Sequence, residues 1–468
     1  MKRALLSWLP ALALAGCVAG PNYHVPDHAM VRAPAANAPF HSGAEPAFAQ
    51  ADLPPHWWRL YDDPRLDAYV GEALAANTDL RAADANLRRA GDVVRQVQAG
   101  RTVQTSVGAA AFAARVGGYT LTVPLDLPYS GILNATVEYP LDLAGGIKRG
   151  IEAASDQAEA AQAARDRVRV AVAAAVTRAY ADTCSANVTL AATRHVLDVQ
   201  DRTLNSMSRL FKGGRSTAFD VTRARAARDQ SAARLPEIIA VRQASLYQIA
   251  ALMGRAPSDY PRELEACATP PMLRQPLPIG DGAALLKRRP DIRAAERQLA
   301  AATAGIGVET AALYPNVTLT GSAGLANTIG SFLTGPSFGG YAGPLISWAF
   351  PNRKAIHARI AGAGAAADAA SAQFDGTVIE ALRQTETSLS SYAREIDHDR
   401  ALESASSDAD RAAAQADRLF RYGRTSVLEV LTAQSNLATA EATLAQSKAT
   451  LIDRQVDVFL ALGGGWEN

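Results

Sequence analysis

The chain reads as a mainly helical fold with a minor set of membrane-type β-strands, built from two copies of one module. Three observations carry that reading. Four sequence anchors recur in the same order at an offset near 210. Each copy holds two short candidate strands, and three of the four alternate in polarity with period two, the signature of a strand. Each copy also holds a very long proline-free helical stretch, Lys148–Phe211 and Arg353–Tyr422. Composition agrees: of 468 residues 48% are hydrophobic but only 6% aromatic, and alanine makes up much of the apolar share. Alanine favours helix and fills a core poorly, so long, closely packed helices fit better than an ordinary globular core. The formal net charge of +1 lacks the basic surplus of a nucleic-acid binder.

The duplication is legible residue by residue. Arg209-Leu210-Phe211-Lys212-Gly213-Gly214-Arg215-Ser216 matches Arg418-Leu419-Phe420-Arg421-Tyr422-Gly423-Arg424-Thr425 at an offset of 209. Phe219-Asp220-Val221 then meets Leu428-Glu429-Val430, and Ala251–Gly254 meets Leu460–Gly463. Upstream, Asp79–Ala83 matches Asp291–Ala295 at an offset of 212. Length alone would allow about three domains. The repeat instead divides the chain into residues 56–254 and 280–463, joined by a linker over 255–279 and followed by a tail over 464–468. A period this long is not a solenoid unit.

At the start, Lys2 and Arg3 precede an apolar stretch and Leu14-Ala15-Gly16-Cys17. This is a secretory signal over residues 1–16. Its cysteine resembles that of a bacterial lipoprotein signal, which implies N-palmitoyl and S-diacylglycerol groups on Cys17 and a lipidated tether over 17–55. Val18 in place of Asp implies outer-membrane sorting. An ordinary signal with an incidental cysteine is the alternative. Removing Lys2 and Arg3 from the 47 basic residues leaves 45 against 46 acidic ones.

Each copy opens with a helix, Leu74–Gln98 and Gly282–Ala312, with Asp79 and Asp291 in first turns and Pro290 suited to open a helix. The strand pairs follow, at 102–112 with 131–141 and at 314–326 with 337–348. Val103, Thr105, Val107, Ala109 and Ala111 alternate with Gln104, Ser106 and Gly108, whereas the glycine-rich fourth stretch alternates poorly. Strands of about ten residues suit an outer-membrane barrel, and pattern alone equally allows a soluble hairpin. No apolar run reaches the length of a transmembrane helix, so any crossing must be made by strands. A barrel needs at least about eight strands. Four per chain therefore require an oligomer, and three chains would supply twelve.

The helical hairpins come next, over 148–253 and 353–462. At about 1.5 Å per residue the long arms would measure about 96 and about 105 Å. That is about three times a bilayer's hydrocarbon thickness, so the arms suit spanning an aqueous gap, although an ordinary coiled-coil rod has the same pattern. Glycines between the arms end a helix readily.

Lipobox, duplicated module, strand pairs and glycine-turned hairpins together resemble the TolC-like outer membrane factor family, in its lipoprotein branch serving resistance-nodulation-division efflux systems (NodT type). Trp57-Trp58, Arg288–Glu296, Tyr314-Pro315 and Ser347-Trp348 add to the likeness. Phe350-Pro351-Asn352-Arg353 departs from the usual Phe-Asp-Gly-Gly-Arg and leaves the turn there unassigned. The resemblance implies a homotrimer, a twelve-stranded outer-membrane β-barrel continued by an α-helical periplasmic tunnel, and a belt around the tunnel's middle. It implies two partners, a periplasmic adaptor and an inner-membrane transporter that supplies the energy. It implies no enzymatic activity, no cofactor and no metal, and a passive duct for drugs or other small molecules. The exit duct of type I protein secretion is the alternative within the family. A periplasmic adaptor or a structural coiled-coil lipoprotein is the alternative outside it.

The same resemblance assigns residues. Gly214, Arg215, Ser216, Gly423, Arg424 and Thr425 fall at the tips that meet the adaptor, besides turning the chain. Asp220 and Glu429 stand where carboxylates ring the periplasmic gate, and Phe420 at an aromatic position in that constriction. Both acids equally suit the first turn of a helix, and Phe420 equally suits hairpin packing. Glu429 is longer than the usual Asp, and Thr432 replaces an acid of some relatives. Since the implied belt wraps the tunnel's middle, Cys184 and Cys267 are expected to form a disulfide between tunnel wall and linker, two free thiols being the alternative. The seven histidines form no metal motif, and no catalytic constellation emerges.

Overall fold

The computed structural model describes residues 18–115, 126–328, 331–351 and 353–465. Cys17 and the signal before it, Asn352, and the end of the C-terminal tail lie outside the described residues. The main elements are α1 (Pro64–Ala76), α2 (Thr78–Ala99), β1 (Gln104–Arg115), β2 (Asp126–Leu141), α3 (Gly146–Lys212), α4 (Ala218–Ala232), α5 (Arg234–Leu252), α6 (Gly282–Arg288), α7 (Pro290–Ala311), β3 (Asn316–Thr328), β4 (Phe338–Ser347), α8 (Lys354–Arg421) and α9 (Val427–Ala461). The described residues form two compact units, one within residues 1–27, 86–162 and 294–375, the other within 28–85, 163–293 and 376–468.

Three helices expected as single pieces are broken, each for a local reason. The stretch at Leu74–Gln98 divides at Asn77, whose backbone is extended (φ −57°, ψ 133°). Its side chain restarts the helix by accepting from the N–H groups of Asp79 (2.9 Å) and Leu80 (3.1 Å). The stretch at Gly282–Ala312 divides at Arg289, also extended (φ −66°, ψ 122°). There Pro290 forbids helical geometry to the residue before it. The returning arm at Thr217–Leu252 divides at Ala233. Pro236 has no N–H for the carbonyl four residues earlier, so the helical ladder loses a rung.

In the first unit the four strands form one antiparallel sheet in the order β1-β2-β3-β4. Phe338–Ser347 pairs along its length with Leu325–Asn316 despite its weak alternation, because backbone hydrogen bonding does not depend on side chains. A strap after the signal is held against the helices. Ala19 N–H donates to Ala144 O (2.9 Å), and the buried guanidinium of Arg149 donates to Ala19 O (3.1 Å), Gly20 O (3.2 Å) and Asn22 Oδ1 (2.7 Å). Where the sequence departs at Phe350-Pro351, Trp348 and Phe350 stack at 4.8 Å and Arg353 lies over both rings.

In the second unit α1, α3, α5, α8 and α9 share one core. Trp57 is fully buried and stacks on Phe459 at 4.4 Å. Trp58 donates to Asp67 (2.8 Å) and Tyr180 to Asp63 (2.6 Å), which offsets the polar cost of burying the Trp58 and Tyr180 rings. The tether and the linker meet as a short parallel pair, Phe48–Ala49 with Leu277–Pro278. Asn77 Nδ2 donates to the carbonyl of Leu252, the last residue of α5 (3.0 Å). At the matching place in the second copy, Arg289 Nη1 donates to that of Ala461, the last residue of α9 (2.7 Å).

Candidate functional site

The two hairpin tips are built alike. After α3, the N–H of Gly214 reaches Phe211 O (3.0 Å) and that of Arg215 reaches Leu210 O (2.8 Å). After α8, Gly423 reaches Phe420 O (2.9 Å) and Arg424 reaches Leu419 O (2.9 Å). Both are the Schellman arrangement, which requires a left-handed residue. Gly214 and Gly423 supply it with φ of +71° and +70°. A Cβ at either would meet nothing within 4 Å, so glycine is needed for backbone conformation and not for space.

The acids lie one step further on. Thr217 caps α4 by accepting from Asp220 N–H (3.2 Å). Asp220 Oδ2 accepts in return from Thr217 N–H (3.0 Å), Thr217 Oγ1 (2.8 Å) and Ser216 Oγ (3.1 Å). This capping box, led by the Thr217 backbone bond, holds the Asp220 carboxyl below its ordinary range. In the second hairpin Ser426 accepts from Glu429 N–H (3.3 Å), and the longer Glu429 side chain is exposed. The two acids are thus unequal: Asp220 is held by its own helix, whereas Glu429 projects from its helix.

Phe420 is half-buried and packs beside Met207, Ala224 and Leu431, with Leu210 and Val221 adjoining. The structure therefore gives it a place in the packing of all four hairpin arms. Sequence reasoning missed two aromatic side chains at the tips. Tyr422 is 81% exposed and Phe219 67%, with Arg223 lying 5.4 Å over the Phe219 ring. Their position beside the tip glycines was the available signal, since large exposed aromatics mark contact surfaces.

Away from the tips, Cys184 of α3 and Cys267 of the linker are joined by a disulfide, both buried. Asn187 Nδ2 donates to Leu264 O (3.0 Å) and Tyr69 to Glu263 (2.7 Å), fastening the same linker. Nearby on α3, Asp182 is pushed up to about 6 by burial and by the charge of Asp453. Arg178 pairs with Asp453 (3.1 Å) and Asp457 (2.7 Å) across to α9. Among the described residues no group of three His, Cys, Asp or Glu side chains could hold a metal, and no helix is long and apolar enough to cross a membrane.

The family model described as "Outer membrane efflux protein" matches residues 69–255 and 283–464. Nodulation protein T of Rhizobium leguminosarum bv. trifolii is 27% identical over 438 residues, covering 92% of this chain and 90% of that protein. The probable efflux pump outer membrane protein TtgC of Pseudomonas putida is 28% identical over 481 residues, covering 100% of this chain and 96% of its own. Among solved structures, the outer-membrane channel OprN aligns with a TM-score of 0.88 at 32% identity, covering 96% of this chain and 100% of that one.

Proposed function

Because the chain belongs to the outer membrane efflux protein family, we propose that it is the outer-membrane duct of a tripartite efflux pump, working as a homotrimer. It sits in the outer membrane and extends into the periplasm. One observation carries the oligomer. Among the described residues the sheet ends in two unpaired edges, β1 and β4. A bilayer does not tolerate open edges, and four strands are about half the smallest barrel. Three copies joined edge to edge make twelve strands with none left open. The long hairpins of three copies then enclose the periplasmic tunnel, with residues 255–279 and the tether in its belt.

The hairpin tips dock on a periplasmic adaptor through Gly214, Arg215, Ser216, Gly423, Arg424 and Thr425. Asp220 and Glu429 ring the gate, where crowded like charges repel and draw cations. Phe420 supports that constriction by packing the four arms together. Cys17 carries the lipid anchor. Transport energy comes from an inner-membrane transporter, and small molecules such as drugs are the transported class.

Conductance in planar bilayers tests this reading, together with heat-modifiable migration of the trimer. The wild type is expected to conduct little and Asp220→Asn/Glu429→Gln to conduct more. If neither conducts, the protein is not a channel.

A further inference from the structure

The sheet has two unlike faces. In register, Val107, Leu133, Val137, Leu319, Leu325 and Ile346 share one face, and Ser106, Asn134, Thr136, Glu138, Thr320 and Ser322 share the other. On the polar face Asn134 donates to Thr136 of its own strand (3.2 Å), and Thr136 donates across to Ser322 of β3 (3.3 Å).

Between β3 and β4, Phe332 lies against the apolar face. Gly131 sits in register between Ala111 and Asn327, on the same face as Leu133. A Cβ there would lie 3.0 Å from Cε2 and 3.1 Å from Cδ2 of Phe332, so the Phe332 ring occupies the space that glycine leaves. Leu333, next in the chain, is 86% exposed. Hydrogen bonds fix this placement. Ser337 Oγ donates to Ser331 O (2.6 Å), Thr334 Oγ1 to Ser331 O (2.7 Å), and Asn327 Nδ2 to Ser337 Oγ (3.0 Å). Ala109, Ala111, Gly131, Leu133, Phe332 and Leu333 border an open groove of about 520 Å³ with no charged residue among its lining.

We infer that Phe332 and Leu333 form a lipid-contacting clasp on the outside of the barrel wall, and that the groove takes an acyl chain of a surrounding bilayer lipid. The inference rests on the barrel reading above. Three features favour hydrocarbon as the occupant: continuity with the apolar strand face, the uncharged lining, and a leucine held exposed by an ordered turn. An exposed leucine is stabilised by leaving water, a transfer that a bilayer supplies and the folded chain does not. The alternative course for such a connection, across the mouth of the pore, would put these side chains on the polar face.

The test uses the full chain in dioleoylphosphatidylcholine vesicles, with a nitroxide label at Leu333→Cys. Leu319→Cys reports the apolar strand face and Ser106→Cys the polar one. Collisions with oxygen, which concentrates in lipid, are compared with collisions with a water-soluble nickel chelate. The Leu333 label is expected to follow Leu319, favouring oxygen and losing nickel broadening. Nickel access at Leu333 with oxygen preference retained at Leu319 overturns the clasp and leaves the barrel standing. Exclusion of both reagents from Leu333, with spin–spin broadening, overturns it in favour of a second copy. Nickel access at Leu319 itself sinks the barrel reading and the clasp with it.

Discussion

Removing the Cys184–Cys267 bridge should weaken the second unit by an amount set by chain topology. The bridge joins residues 83 apart and encloses the end of α3, all of α4 and α5, and about half of the linker. Cross-linking over such a span removes about 15 cal/mol/K of entropy from the unfolded chain, or about 4.5 kcal/mol near room temperature. The native contacts at the site do not depend on the bond alone. Asn187 still holds Leu264, and Tyr69 still holds Glu263. The double variant Cys184→Ala/Cys267→Ala should therefore fold, with its free energy of unfolding lowered by about 2–5 kcal/mol. Urea unfolding followed by tryptophan fluorescence measures the change, since Trp57 and Trp58 lie in the same core. Protein concentration must be held fixed, because association also stabilises the folded state. An unchanged midpoint without reductant would refute the reasoning, as would a wild type equally stable with its thiols reduced during unfolding.

Further outcomes follow from other sites. Arg149→Met should free the strap at Ala19–Asn22 and cost about 3 kcal/mol, as breaking a buried charged contact does; faster limited proteolysis within residues 18–22 would report it. Gly423→Val should strain the tip by about 1–2 kcal/mol, the penalty of a left-handed non-glycine residue, and the same change at Gly214 should match it because neither site is crowded; unequal losses in thermal unfolding would contradict this. Asp182 is raised to about 6, so the folded state binds its proton more tightly than the unfolded chain does. Its contribution falls as pH rises from the ordinary carboxyl range through about 6, and acidification from neutrality restores it progressively, in full only below the ordinary carboxyl range. Asp182→Asn should flatten that part of the stability–pH curve, and a profile identical to wild type would count against the shift.

Much of this fold was legible because its signals are local and repeated. The offset anchors located both tips, and the absence of proline bounded α3 and α8 to within a residue or two. The helix breaks were less legible. Pro290 and Pro236 were in plain view, but Asn77 breaks its helix with an ordinary polar side chain that caps the next helix and also reaches Leu252. The tips were legible as turns, yet the difference between Asp220 and Glu429 lies in their hydrogen bonds: Ser216 and Thr217 close a box on one, while Ser426 only caps the other. Exposure was the least readable property. Alternation suggested that Val107 and Ser106 face opposite ways, but nothing local indicated that Phe332 would come to rest over Gly131.

The clasps from Asn77 to Leu252 and from Arg289 to Ala461 span 175 and 172 residues. Each ties the beginning of a copy to the end of the same copy, so each copy closes on itself before any link between copies is needed. Closing so long a loop costs little more than closing one half its length, since the entropy grows only logarithmically. Its burden falls on timing: no clasp can form until the last residues of its copy are available. During chain emergence the N-terminal copy is thus able to lock roughly 200 residues before its twin, a sequence of events built into where two side chains point.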